Sequence, residues 1–304
     1  MSREALLYTE MVTAPALVRG NALHLLDYNA EEHPVAFQLG GSDPAELAAA
    51  TKLVNSAGYD EVNLNVGCPS DRVQSGTFGA ILMKSPDLVA DCVSAMIDVS
   101  DAEVTVKCRI GVDDQNTHEI LPEFLGRIAQ AGVSRVTIHA RKAWLQGLSP
   151  KENRDIPPLD YDLVFQMKRQ FPDLHISING GISSLEQAKA LLAQGVDGVM
   201  IGRAAYHSPA DILLDADRQV YGTGYVQSRL EIVETMLPYI ERHLQTGGRL
   251  NQITKHMLGL FAGMPGARAW RRYLSENAHK SGAGPDVVMA AMAKVSAPVD
   301  GEIA

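Results

Sequence analysis

Cys68 lies in Leu64-Asn65-Val66-Gly67-Cys68-Pro69-Ser70, where an alternating apolar run gives way to a loop. A parallel α/β fold places its chemistry at such strand exits. A free cysteine titrates at about 8.5, so a thiol there can hold a proton at neutral pH and deliver it. Taken alone, the residue serves equally well as a small buried packing group. Three further strand-end signals weigh against packing: Lys107 in Val104-Thr105-Val106-Lys107, His139 in Val136-Thr137-Ile138-His139, and the pair Asn179-Gly180-Gly181 and Gly202-Arg203.

Glycines at a strand exit let backbone N–H groups approach an anion closely, and a following helix start adds favourable partial charge. Either glycine motif alone is a common tight turn, but the two on neighbouring strands about 20 residues apart suit the phosphate of a flavin. Lys107 inside a barrel must neutralise something, because an unpaired buried ammonium is costly. The pyrimidine edge of a reduced flavin meets that need, and a neighbouring carboxylate would meet it equally simply. Gln38, in Phe37-Gln38-Leu39-Gly40-Gly41, offers a donor and an acceptor to a heterocyclic ring or to the fold itself. His139 opens His139-Ala140-Arg141-Lys142, so it is placed to face a cofactor while Arg141 and Lys142 reach outward; a core histidine with its hydrogen bonds met is the bland reading.

These residues need a scaffold, and the chain of 304 residues, 46% hydrophobic and 21% charged, is long enough for one large domain and a smaller one. Short apolar runs at 6–12, 34–39, 61–66, 103–109, 134–139, 174–178 and 197–201 alternate with helical patterns, which specifies a parallel sheet. Helix starts are marked at Ser42-Asp43-Pro44 and Ser183-Ser184-Leu185-Glu186, and a further helix is expected over 157–171. Beyond residue 222 the strand signal stops, and 229–244, 251–262 and 267–278 read as helices. The expected division is therefore 1–222 for a flavin-binding catalytic barrel and 223–304 for an all-α domain. Seven strands are one short of a closed (β/α)8 TIM barrel, and phosphate sites follow the seventh and eighth strands of such barrels. The chain is thus expected to lack the first strand and its helix, roughly 25 to 30 residues. A doubly wound open sheet fits less well, because ligand signals end at least four strands.

Composition narrows the partners. Net charge is −9, yet residues 241–280 carry an excess of +5 and residues 141–154 an excess of +3, two basic islands on an acidic body. That pattern fits a localised polyanion surface and excludes indiscriminate nucleic-acid binding. No stretch of about 18 apolar residues occurs, so a cytoplasmic protein without a membrane partner is expected. Cys68, Cys92 and Cys108 form neither a CxxC spacing nor an even set, which argues against a zinc site or a disulfide framework, and no metal is expected.

The runs Asn65-Val66-Gly67-Cys68-Pro69-Ser70-Asp71-Arg72-Val73-Gln74, His139-Ala140-Arg141-Lys142-Ala143-Trp144, Ser149-Pro150-Lys151-Glu152-Asn153-Arg154 and Ser177-Ile178-Asn179-Gly180-Gly181 resemble the A-type tRNA-dihydrouridine synthases, over nearly the whole length. The resemblance implies bound FMN, NADPH as reductant, a barrel followed by a helical tRNA-binding domain, and reduction of tRNA D-loop uridines at positions 20 and 20a. It identifies Cys68 as the proton donor and implies cofactor contacts at Gln38, Lys107, His139, Asn179, Gly180, Gly181, Gly202 and Arg203. Expected tRNA contacts are Asn65, Asn153, Arg154, Arg268, Arg271 and Arg272. It implies no protein partner, and a monomer is expected.

The sequence departs from the family where members open with an Ala-Pro-Met cofactor contact on the first strand. Here the chain begins after it, and Ala14-Pro15 follows the next strand instead. A start codon assigned too far downstream is the expected cause, and loss of that strand would open a seam beside the flavin. Ile81 stands where many relatives have a cysteine. Two other functions share these signals: a dihydroorotate-type pyrimidine dehydrogenase, and an inactive tRNA-binding relative.

Overall fold

The computed structural model describes residues 1–70, 78–224 and 226–295. Asp71, Arg72, Val73 and Gln74 of the Cys68 motif, and Tyr225 beside the expected domain boundary, lie outside the described residues. By their contacts the described residues form two compact units, one of 6–182 with 186–201, the other of 1–5, 183–185 and 202 onward.

The larger unit is a parallel sheet of eight short strands: β1 (Leu7–Tyr8), β2 (Val12–Thr13), β3 (Val35–Gly40), β4 (Glu61–Val66), β5 (Glu103–Arg109), β6 (Arg135–His139), β7 (His175–Asn179) and β8 (Gly198–Met200). Every pairing is parallel, in the order β1-β3-β4-β5-β6-β7-β8, with β2 also on β3. From β2 onward helices cross between successive strands, the architecture of a (β/α)8-type barrel. Among the described residues β8 and β1 are not paired.

The strand expected over 6–12 is two pieces. Tyr8 pairs with Ala36 and Val12 with Leu39, so β1 and β2 hold one residue more than β3 opposite them. That is the count of a bulge. Its cause is local: the Gln38 amide donates to the Thr9 hydroxyl at 3.1 Å.

Strand parity separates core from interior. Val62, Leu64 and Val66 of β4 are fully buried on the helix side with Phe37 and Leu39 of β3 and Val106 of β5. Truncating one such leucine to alanine costs about 2–5 kcal/mol. Glu61, Asn63 and Asn65 alternate with them on the opposite face and are buried as well. The helix Pro44–Ala57 starts where Asp43 accepts from the Glu46 amide and stops at Gly58 in the left-handed conformation. The helix expected over 157–171 is shorter, Tyr161–Gln170, because Asp160 caps it by accepting from Leu163 at 2.9 Å.

The smaller unit is helical. Arg229–Gln245 begins with a Ser228/Glu231 capping box, and Leu250–Met257, Ala267–Asn277 and Pro285–Met292 follow. Val233, Ile240, Phe261, Trp270, Leu274 and Val288 form its core, with the Trp270 indole donating to the Met257 carbonyl at 3.2 Å.

Candidate active site

Parallel register brings the carboxyl ends of the central strands level. Asn65 of β4 pairs with Lys107 of β5, Arg109 with His139 of β6, and His139 with Asn179 of β7. Cys68 follows β4 by two residues, and its backbone is held from both sides. Its amide and that of Gly67 donate to Asn65 Oδ1 at 2.9 and 3.0 Å, while its carbonyl accepts from Ala80 at 2.9 Å. The thiol lies 3.6 Å from the Ser70 hydroxyl and is partly open to solvent. Cys92 and Cys108 are buried, and burial pushes both thiols up to about 12. Cys68 is therefore the thiol able to meet a substrate.

Lys107 keeps some contact with solvent, yet protein crowds it. Burial first, then the nearby Arg109 cation, brings its ammonium from 10.5 down to about 8. Among the described residues it has no hydrogen-bonding or ion-pair partner, so the carboxylate offered as its bland explanation is absent there. A cation in that position fits an electron-rich ligand.

Gln38 is nearly buried, its amide held between Asn63 and Asn65 at 2.9 and 2.7 Å, which leaves one N–H and one lone pair for a ring. His139 is buried beside Gly180. A Cβ on Gly180 would lie 2.6 Å from His139 Cδ2, and Gly180 and Gly181 have φ of +116° and +70°. Only glycine meets both demands: Gly180 is buried against His139 and Leu159, and the Gly181 that follows it is exposed. Asn179 donates to the Met200 carbonyl at 2.8 Å, tying β7 to β8. Gly202 and Arg203 fall in the other unit, where Gly202 precedes the five-residue helix Arg203–His207. Their share in a phosphate site rests on sequence spacing.

Of the expected tRNA contacts, Asn65 is committed to the Cys68 loop and Gln38, with one N–H remaining. Asn153 requires correction. It is fully buried, donates to the Trp144 and Leu148 carbonyls and accepts from the Trp144 amide, so it shapes the loop instead of touching a substrate. Arg154 is exposed, with Nε on the Pro150 carbonyl. Arg268, Arg271 and Arg272 lie at helical spacing on the exposed face of Ala267–Asn277, opposite buried Trp270 and Leu274, and have no acidic partner among the described residues.

Arg109 is a residue of the candidate site that the sequence reading did not single out. Its buried guanidinium donates to the carbonyls of Gly67, Lys142 and Asn153 at 3.1, 3.2 and 2.9 Å, joining the Cys68 loop to both ends of the first basic island. Strand parity two residues beyond Lys107 was the available signal. A 600 Å³ groove beside these loops is lined by residues including Lys84, Asp113, Trp144 and Leu145. Burial opposes ionisation of Asp113, but hydrogen bonds from Lys84 and the Leu145 amide outweigh it and hold the carboxyl below its ordinary range.

Among the described residues, no group of three or more acidic, histidine or cysteine side chains is arranged to hold a metal, and no helix is long and apolar enough to cross a membrane. A family model described as dihydrouridine synthase matches residues 1–296. The chain is 62% identical to the tRNA-dihydrouridine(20/20a) synthase of Shewanella oneidensis, over 97% of this chain and 88% of that one. It is 58% identical to the proteins of that name from Vibrio cholerae and Escherichia coli K12, over 97% of this chain and 90% and 86% of theirs. A crystal structure of DHODH in complex with ferulenol from Eimeria tenella aligns with a TM-score of 0.43 and 12% identity, over 59% of this chain and 55% of that one, too weak a likeness to bear on the fold.

Proposed function

The chain belongs to the dihydrouridine synthase family, and from that membership we propose that it reduces the C5=C6 bond of D-loop uridines at positions 20 and 20a of tRNA. The cofactor class is a flavin, and the residues present fit FMN. Lys107, which has no hydrogen-bonding or ion-pair partner among the described residues, would meet the electron-rich pyrimidine edge, Gln38 and His139 would border the ring, and the backbone turn at Gly180 and Gly181 would receive the phosphate. Asn179 braces that strand end. Gly202 and Arg203 join the phosphate contacts on sequence grounds. When bound, FMN would supply hydride chemistry to the uracil, with NADPH as the reductant.

The remaining steps belong to the protein. The C5=C6 bond is conjugated to the C4 carbonyl, so addition at C6 leaves an enolate that must take a proton at C5. Cys68 delivers it from Sγ, and the thiolate regains a proton from water. Asn65 orders the loop that aims the thiol, and Arg109 keeps that loop against the basic rim. A uridine of folded tRNA must leave its stack to reach the site, at a cost of a few kcal/mol, and phosphate contacts compensate. Arg154, Arg268, Arg271 and Arg272 are the proposed grips. A small-pyrimidine dehydrogenase would leave those exposed arginines without a task.

The observation that carries this reading is the pairing, at adjacent strand exits, of one solvent-reaching thiol with a cation that has no hydrogen-bonding or ion-pair partner among the described residues. The test is dihydrouridine mapping on unmodified tRNA incubated with the purified chain, FMN and NADPH. Dihydrouridine is expected at positions 20 and 20a, with loss of at least about a hundredfold in rate for Cys68→Ala. No dihydrouridine from the wild-type chain, or undiminished activity in Cys68→Ala, would refute it. The first result would favour the inactive-relative alternative.

A further inference from the structure

A directional chain of hydrogen bonds runs through the sheet interior from the Cys68 loop to a carboxylate. The Cys68 amide donates to Asn65 Oδ1 at 2.9 Å, Asn65 Nδ2 to Gln38 Oε1 at 2.7 Å, and Gln38 Nε2 to Asn63 Oδ1 at 2.9 Å. Asn63 Nδ2 donates to Thr105 Oγ1 at 2.7 Å, and the Thr105 hydroxyl to Glu61 Oε1 at 2.6 Å. The Tyr8 hydroxyl donates to the same oxygen at 2.5 Å. Every donor along the path points toward Glu61.

Both ends require that sense. Two backbone N–H groups, of Gly67 and Cys68, can be met only by the oxygen of Asn65, which turns its NH₂ toward Gln38. Each later amide is oriented by the one before it. At the far end a carboxylate oxygen accepts from both hydroxyls and closes the series. Reversing any single amide would set donor against donor or acceptor against acceptor. Register builds the path: Gln38 pairs with Asn63 and Asn63 with Thr105, while 61, 63 and 65 share one face of β4. Glu61, Asn63 and Thr105 are all buried, so water does not stand in for a lost partner.

We propose that Glu61 is a positioning residue: as terminal acceptor it fixes the sense of this chain and so keeps the Asn65 oxygen on the Gly67 and Cys68 amides, holding the thiol loop in its working shape. The consequence for proton delivery rests on the function proposed above, whereas the chain itself does not.

The test compares Glu61→Leu, Thr105→Val and Glu61→Gln in the full chain. Hydrogen exchange of the Gly67 and Cys68 amides is measured without tRNA, and kcat and KM with it. Glu61→Leu removes the acceptor and Thr105→Val severs the path one link higher. In both, exchange of the two amides is expected to quicken at least about tenfold, and kcat to fall about tenfold with KM for tRNA unchanged. In Glu61→Gln the amide oxygen takes the place of Oε1, so both readouts are expected to stay within about threefold of wild type. Wild-type amide exchange in a folded Glu61→Leu protein would overturn the proposal. So would a Glu61→Gln protein as impaired as Glu61→Leu, since a charge or a packing role would then be at work. Should Glu61→Leu not fold, Thr105→Val decides alone. Failure of uridine reduction by the wild-type chain would refute the proposed function and leave the exchange comparison standing.

Discussion

Replacing Lys107 by methionine keeps the length and apolar stem of the side chain and deletes its charge. In the flavin-free protein that charge is unfavourable, because burial and then Arg109 bring the ammonium from 10.5 to about 8 with no partner among the described residues. At about 1.4 kcal/mol per pH unit, the fall corresponds to roughly 3 kcal/mol against the charged form. The side chain still touches solvent, so about 1–2 kcal/mol is a fair expectation. Flavin-free Lys107→Met should therefore be more stable than flavin-free wild type by that amount at pH 7, read from urea midpoints at equal slope. FMN titration should show the opposite, weaker binding, because the variant lacks the cation that faces the cofactor. The sign with pH follows from linkage. Between about 8 and 10.5 the folded wild type has lost a proton that its unfolded chain retains, so wild-type stability rises and the gap to the variant closes across that window. A flavin-free variant less stable than wild type at pH 7, or one binding FMN as tightly, would refute the reasoning.

Gly180→Ala should lose FMN and destabilise the fold by about 1–3 kcal/mol, since the new Cβ meets His139 at 2.6 Å on a backbone of φ +116°; thermal melts with flavin fluorescence check both, and retained flavin would exclude the cradle. Arg271→Ala combined with Arg272→Ala should weaken tRNA binding and reduce the slope of log affinity against log salt by about 1–2. An unchanged slope would remove these arginines from the tRNA surface.

Much of this protein was legible in its sequence because parallel sheets advertise themselves. Strand runs of period two separated by capped helices gave β3 to β8 nearly as observed, and the long motifs around Cys68, His139 and Asn179 pointed to the family that the comparisons show. The types of the candidate residues were readable only in combination, since a thiol, a lysine and paired glycines each have structural uses and gain specificity from ending neighbouring strands together. Side-chain partners were not legible. Asn153 sits in a polar, basic stretch and looks like a surface contact, but only the folded loop shows its amide satisfied internally by Trp144 and Leu148. Arg109 reads as one more cation until three carbonyls from distant segments converge on it. Glu61, Asn63 and Thr105 carry no motif, because their meaning lies in cross-strand register. Periodicity along one strand fixes which face a residue takes; which residue of the next strand stands opposite depends on how the strands pair, and that pairing joins Cys68 to Glu61.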